Sequence, residues 1–176
     1  MKRFENISEH NGPSDNPIIV MARKLCGIIG KSSVDEIPWC SSSMNLCMVL
    51  ANIERNPLGA MDKLRLKGFD RDFVISLYAL IGLKMENSQH TGVAWVEPTF
   101  SAAAASWDAW GLSVPVDKLE VGDLVRLTRE NGGHIAFFEG QGNISFKLFG
   151  GNQDNKFCSS EKYMKTRFVT ARRWRE

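Results

Sequence analysis

Imidazole is scarce in this chain of 176 residues, which carries only His10, His90 and His134. They lie far apart, so a histidine-built zinc centre is not expected. The four cysteines, Cys26, Cys40, Cys47 and Cys158, show no CxxC spacing. That argues against a tetrahedral zinc site. Their irregular placement fits free thiols better than a disulfide framework. Long apolar runs are also lacking. The longest uncharged stretch of the apolar middle, Phe73–Leu83, is far short of the ~20 residues that span a bilayer. A net charge of +2 is too small to argue for a nucleic-acid partner. The N-terminus begins Met1-Lys2-Arg3 but turns polar through His10, with no apolar h-region, so no signal peptide is expected. Repeats and low-complexity segments are missing too.

What is present is ordinary for a globular protein: 43% hydrophobic and 24% charged residues. Residues 1–176 are read as one domain, long enough to bury a core without staples. A polar lead-in with the turn signal Asn11–Pro17 precedes a helix from Pro17 to about Gly30, with Gly27 or Gly30 as its stop. Lys31–Pro38 is read as a loop, because proline disfavours helix at Ile37. The next helix starts near Trp39 or Cys40 and runs to about Asn52, with Met44, Cys47, Met48 and Ala51 at helical spacing. Ala60–Leu66 and Asp70–Glu86 are read as helices within a helical insertion at about 53–98. Alanine-rich Ser101–Trp110 is read as another, ended by Gly111. From Asp123 the period becomes two. Strands are expected at Leu124–Thr128, His134–Glu139 and Ile144–Phe149, with two more at Phe157–Ser159 and Thr166–Trp174. Helices first and strands second reads as α+β, with N-terminal helices packed on a C-terminal antiparallel sheet.

Three residues stand out chemically. Cys40 falls at a helix start, where the positive end of the helix dipole favours a nucleophilic thiolate. The alternative is a small buried hydrophobe. His134 opens a strand directly after Gly132-Gly133, which leaves room beside its ring. The alternative is a histidine satisfied at a loop–strand junction. A hairpin turning at Gln141-Gly142 sets His134 opposite Phe149 or Gly150. In the second register Asn152 projects on the same face, where its oxygen can hold the ring's tautomer. The alternative is that Gly150-Gly151-Asn152 is only a turn. Cysteine on a helix, then histidine on a sheet, is the order of a papain-type hydrolase.

Several segments resemble one family in order. Ile37-Pro38-Trp39-Cys40-Ser41 is similar to the nucleophile motif of CHAP-like cell-wall hydrolases, within the NlpC-type papain superfamily. Ala105–Gly111 resembles that family's "ARSW…WG" stretch. Leu119–Val125 resembles its "GDIVV", Gly133–Phe138 its "GHVGFY" and Phe149–Gln153 its "LGGNQ". The resemblance covers roughly residues 16–52 and 99–174 and points to the bacteriophage endolysin branch. It departs from the pattern in the length of Ile53–Pro98 and in Ser41-Ser42-Ser43 after the cysteine.

The resemblance implies a papain-like fold with Cys40 as nucleophile, His134 as general base and Asn152 as orienter. Trp39, Ser41, Trp107 and Gln153 are the expected substrate contacts, though tryptophans of this kind are as readily core. The implied reaction is hydrolysis of an amide in bacterial peptidoglycan, with no metal and no cofactor. The bond is that of an N-acetylmuramoyl-L-alanine amidase or of a stem or cross-bridge endopeptidase. A monomer is expected. It would stay in the host cytoplasm until a holin-type pore releases it to the periplasm and wall. Rival readings are an injected antibacterial amidase effector, a non-catalytic wall-binding domain of the same shape, and a zinc amidase. The basic stretch Lys162–Arg175 reads either as an attractor of anionic wall polymer or as a solvated strand face.

Overall fold

A computed structural model of the chain describes residues 4–9, 16–28, 39–130 and 132–174. The expected loop at 31–38, the polar lead-in around residues 10–15, and His10 lie outside the described residues. The chain is α+β, with four helices and one antiparallel six-stranded sheet among the described residues. It divides into two compact units. One joins the chain up to Leu46 with the segment from Thr99 on, and the other is Cys47–Pro98. The second unit therefore begins earlier than the expected insertion at 53. No helix among the described residues is long and apolar enough to cross a membrane.

In the first unit, helix α1 spans Pro17–Leu25. Asn16 caps it by accepting from the Ile18 amide at 3.0 Å, and Pro17 sits where a missing N–H costs nothing. The chain leaves the helix at Gly27 with φ 73°, so the earlier of the two expected stops is used. Helix α2 spans Cys40–Arg55. Its first bond runs from the Ser43 amide to the Trp39 carbonyl at 2.9 Å, which makes Cys40 the first helical residue.

The sheet consists of β1 (Leu112–Ser113), β2 (Leu124–Arg129), β3 (Gly132–Gln141), β4 (Ser145–Gln153), β5 (Lys156–Met164) and β6 (Phe168–Arg173), in the order β1-β6-β2-β3-β4-β5. One face carries Val125, Leu127, Ala136, Phe138, Phe146, Leu148, Tyr163 and Ala171 as a buried cluster. Asp123, at the entry to β2, is 2% exposed and takes a bidentate bond from Arg173 of β6, at 2.8 and 2.9 Å. Arg173 is thus committed to the sheet and is not part of a free basic face.

Two expectations about this unit are corrected. Alanine-rich 101–110 forms only a 3-10 turn at Ala104–Trp107. The Ser101 carbonyl and the preceding Phe100 amide are taken by α2 side chains instead. Ser41 Oγ bonds the Ser101 carbonyl at 2.6 Å, and Asn45 bonds the Phe100 amide at 2.7 Å and the Ser101 carbonyl at 3.0 Å. The β3–β4 hairpin is also registered differently. Phe137 pairs with Phe149 and Phe138 with Leu148, after a bulge at Glu139. Neither expected partner of His134 fits this register.

In the second unit, the rest of α2 is followed by α3 (Pro57–Leu66) and α4 (Arg71–Leu80), capped by Asn56 and Asp70. Ile53, Ala60, Leu64, Phe73, Val74, Leu77 and Tyr78 are its core. α4 ends earlier than expected, with Gly82 at φ 74° and a 3-10 turn at Met85–Asn87 beyond it. An extended segment is tied down by two asparagines. Asn52 exchanges bonds with both backbone groups of Val96, at 2.8 and 2.9 Å, and Asn56 donates to the Val93 carbonyl at 2.7 Å.

Candidate active site

The start of α2 is sunk against the sheet. Ser43 Oγ bonds the Cys40 carbonyl at 2.6 Å and accepts from the Gly151 amide of β4 at 3.2 Å. The absence of a side chain at Gly151 is what allows this. A Cβ there would lie 2.3 Å from Trp39 Cζ3 and 2.6 Å from Ser43 Cβ. This packing seats Cys40 against β3. Its Sγ lies 4.0 Å from the Gly133 carbonyl oxygen, and the Ile135 backbone also interacts with it. The thiol therefore touches the strand on both sides of His134.

His134 is fully buried, and neither Nδ1 nor Nε2 has a hydrogen-bond partner. A buried imidazole with two unmet polar atoms is costly and needs a reason. Its ring is stacked on Tyr163, with centroids 4.8 Å apart and planes 13° from parallel. β4 lies between β3 and β5 in the sheet, so this contact requires the sheet to curl. The Tyr163 hydroxyl accepts from Arg129 at 3.3 Å, which places a guanidinium next to the stack.

Burial governs the charge state of both groups. It pushes the Cys40 thiol above its ordinary range, against weaker lowering by the Ile135 backbone and the Arg129 charge. The helix dipole does not make a resting thiolate here. Burial also holds His134 well below the ordinary imidazole value, helped by the positive charges of Arg129 and Lys162. At rest the pair is neutral thiol and neutral imidazole. Tyr163 is pushed up to about 12, chiefly by burial.

A cleft of about 690 Å³ opens beside the pair, lined by Gly133, Asn152, Tyr163 and the charged residues Arg129, Glu130, Asp154, Lys162 and Arg167. Asn152 is at its wall with φ 58°, a left-handed conformation that asparagine tolerates. Its carbonyl accepts from Arg129 at 3.5 Å. It lines the cleft together with Gly133 and Tyr163 but holds neither ring nitrogen of His134, so the expected tautomer-fixing bond is not made.

None of the four expected substrate contacts lines this cleft. Trp39 is 1% exposed and packs edge-on against Phe157, with ring centroids 5.0 Å apart. Ser41 is fully buried, holding the Ser101 carbonyl and accepting from the Trp107 indole at 2.9 Å. Trp107 is likewise fully buried. Gln153 is buried as well, and its amide donates to the Leu148, Gly150 and Cys158 carbonyls. These side chains build the site's walls from behind. Tyr163 and Arg129 were not singled out from the sequence. The one local signal is a polar or aromatic residue on an otherwise apolar strand face.

Of the remaining candidates, His90 is exposed and 3.9 Å from Asp62 in the second unit. All four cysteines are free. Among the described residues no group of three His, Cys, Asp or Glu side chains is placed to hold a metal ion. No protein-family model matches the chain. No curated protein matches it either.

Proposed function

We propose that the protein is a cysteine-dependent amidohydrolase of papain-like design that cuts an amide bond in bacterial peptidoglycan, as an endolysin does. The observation that carries this reading is Cys40, first residue of α2, seated against the β3 backbone on both sides of a buried histidine whose two nitrogens are unbonded. The ordered motif resemblance supports the substrate class.

The chemistry follows from those positions. The neutral imidazole of His134 swings from the Tyr163 face toward Sγ and takes the thiol proton. The thiolate sulfur attacks the amide carbonyl carbon. The first-turn N–H groups of α2 have no intrahelical acceptor and are available to the tetrahedral oxyanion. The C–N bond breaks as the imidazolium gives its proton to the leaving amine. Water, with His134 again as base, then hydrolyses the thioester and frees the thiol. Cys40 is 1% exposed, so the cycle also requires the cleft wall to yield, and Tyr163 is the wall ring in contact with the imidazole. A neutral resting pair suits this order of events. The proton moves only once the covering groups have yielded, whether to substrate or to a small reagent that enters the cleft.

Purified peptidoglycan incubated with the protein tests the reading. Mass spectrometry of released fragments should show free lactyl groups for an amidase, or cut stems for an endopeptidase. Cys40→Ala should release neither. The closed thiol favours one second reading, a non-catalytic wall-binding domain of the same shape. It predicts binding to the same material with no fragments from either protein.

A further inference from the structure

The charge of the cleft is unevenly committed. Arg129, Lys162 and Arg167 line it together with Glu130 and Asp154, but Lys162 is already paired with Asp154. Arg129 differs. It is half-buried at the end of β2, and its guanidinium donates only to neutral oxygens, the Tyr163 hydroxyl at 3.3 Å and the Asn152 carbonyl at 3.5 Å. No carboxylate among the described residues pairs with it. A planar guanidinium with two long bonds to neutral acceptors keeps donors in hand for a bidentate anion. Its position is also particular. Its charge is felt by both Cys40 and His134, and Gly133 and Tyr163, which touch those two residues, line the same cleft.

From this placement we propose that Arg129 anchors a carboxylate of the substrate, so that the amide presented to Cys40 belongs to an acidic peptide. The inference rests on the cysteine-hydrolase reading and narrows its substrate. A carboxylate fixed at Arg129 holds the neighbouring acyl group beside the thiol and removes the positional freedom that slows a bimolecular attack. Lys162 and Arg167, exposed further out, raise the local concentration of anions. The same contact displaces Arg129 from the Tyr163 hydroxyl and so loosens the ring that covers His134.

Alkylation of Cys40 by iodoacetate and by iodoacetamide, in the intact protein, tests the inference without a known substrate. Peptide mass spectrometry reads the extent at Cys40, and the iodoacetate-to-iodoacetamide ratio is referred to the same ratio in urea-unfolded protein. The same thiolate attacks the CH2 carbon of either reagent and displaces iodide, so the ratio cancels any change in thiol ionisation. The native ratio should exceed the unfolded one by about tenfold, the worth of one charge-assisted hydrogen bond. Arg129→Met should bring it to the unfolded value, and Arg129→Lys should keep part of the preference. A native ratio equal to the unfolded one, with Cys40 still alkylated by iodoacetamide, overturns the carboxylate anchor and leaves the hydrolase reading standing. A preference undiminished in both variants also overturns it. Absence of Cys40 alkylation by either reagent in the native protein overturns the hydrolase reading and the anchor together.

Discussion

Replacing His134 with phenylalanine should flatten the acid side of the stability profile, and the size of the effect follows from burial alone. The imidazole is fully enclosed, with no partner for either nitrogen, and burial, with Arg129 and Lys162 adding to it, holds its pKa well below the ordinary value. In the unfolded chain the same ring titrates near pH 6.5. The unfolded state therefore binds the proton first. The stability contributed by the neutral ring is fully present above that pH and drains away as pH falls through it. Between pH 7.5 and 5.5 the unfolded chain gains about 1.4 kcal/mol from protonating one such group, and the folded state gains nothing. Urea unfolding at the two pH values measures this directly. Wild type should lose about 1.4 kcal/mol more than His134→Phe over that interval, a midpoint difference of about 0.7 M. The other histidines are common to both proteins and cancel. Equal pH dependence in the two proteins would mean that the ring is solvated or partnered, and the description of the site would be wrong.

Three further outcomes follow from the packing around the start of α2 and the entry to β2. Gly151→Ala places a Cβ within 2.6 Å of Ser43 and closer still to Trp39. It should destabilise by about 1–3 kcal/mol in urea titrations and slow peptidoglycan hydrolysis, because the helix start is pushed from β3. Asn45→Ala removes the acceptor of the part-buried Phe100 amide and should cost about 1–2 kcal/mol by the same assay. Asp123→Asn weakens the bidentate bond from Arg173. It should lower the urea midpoint by the equivalent of about 1–3 kcal/mol, with no change in the iodoacetamide reactivity of Cys40 relative to Cys158.

Much of the fold is legible in the sequence because local signals and tertiary demands agree. Asn16-Pro17 and Asp70 begin helices as caps do, and α2 starts at Cys40, two positions after Pro38. The misreadings have a common cause in tertiary contacts that override local preference. Alanines 102–105 favour helix, but Ser41 and Asn45 seize the backbone groups that a helix would need. Gly150-Gly151 reads as a strand end, whereas β4 runs on to Gln153. The glycines are there for close approach, with Ala136 against one and Trp39 and Ser43 against the other.

The site was legible to the extent that it is local. Cys40 at a helix start and His134 after paired glycines are one-dimensional signals, and in the structure the Cys40 thiol meets the β3 backbone at Gly133 and Ile135, the chain neighbours of His134. Contacts made by curvature are not. Tyr163 reaches His134 across an intervening strand, and Arg129 reaches Tyr163 from another. A bulge at Glu139 shifts the β3–β4 hairpin out of the register expected from its turn. Trp39, Ser41, Trp107 and Gln153 sit near the motif residues in sequence or in space, but sinking the helix start into the sheet turns them inward.

The most direct measurement of the central claim is the rate of turbidity loss in outer-membrane-stripped bacterial cells, with wild type and Cys40→Ala compared at equal concentration and equal folded fraction. The account predicts clearing by the wild type and none by the variant. Clearing at the same rate by both would mean that the Cys40 sulfur takes no part in the reaction.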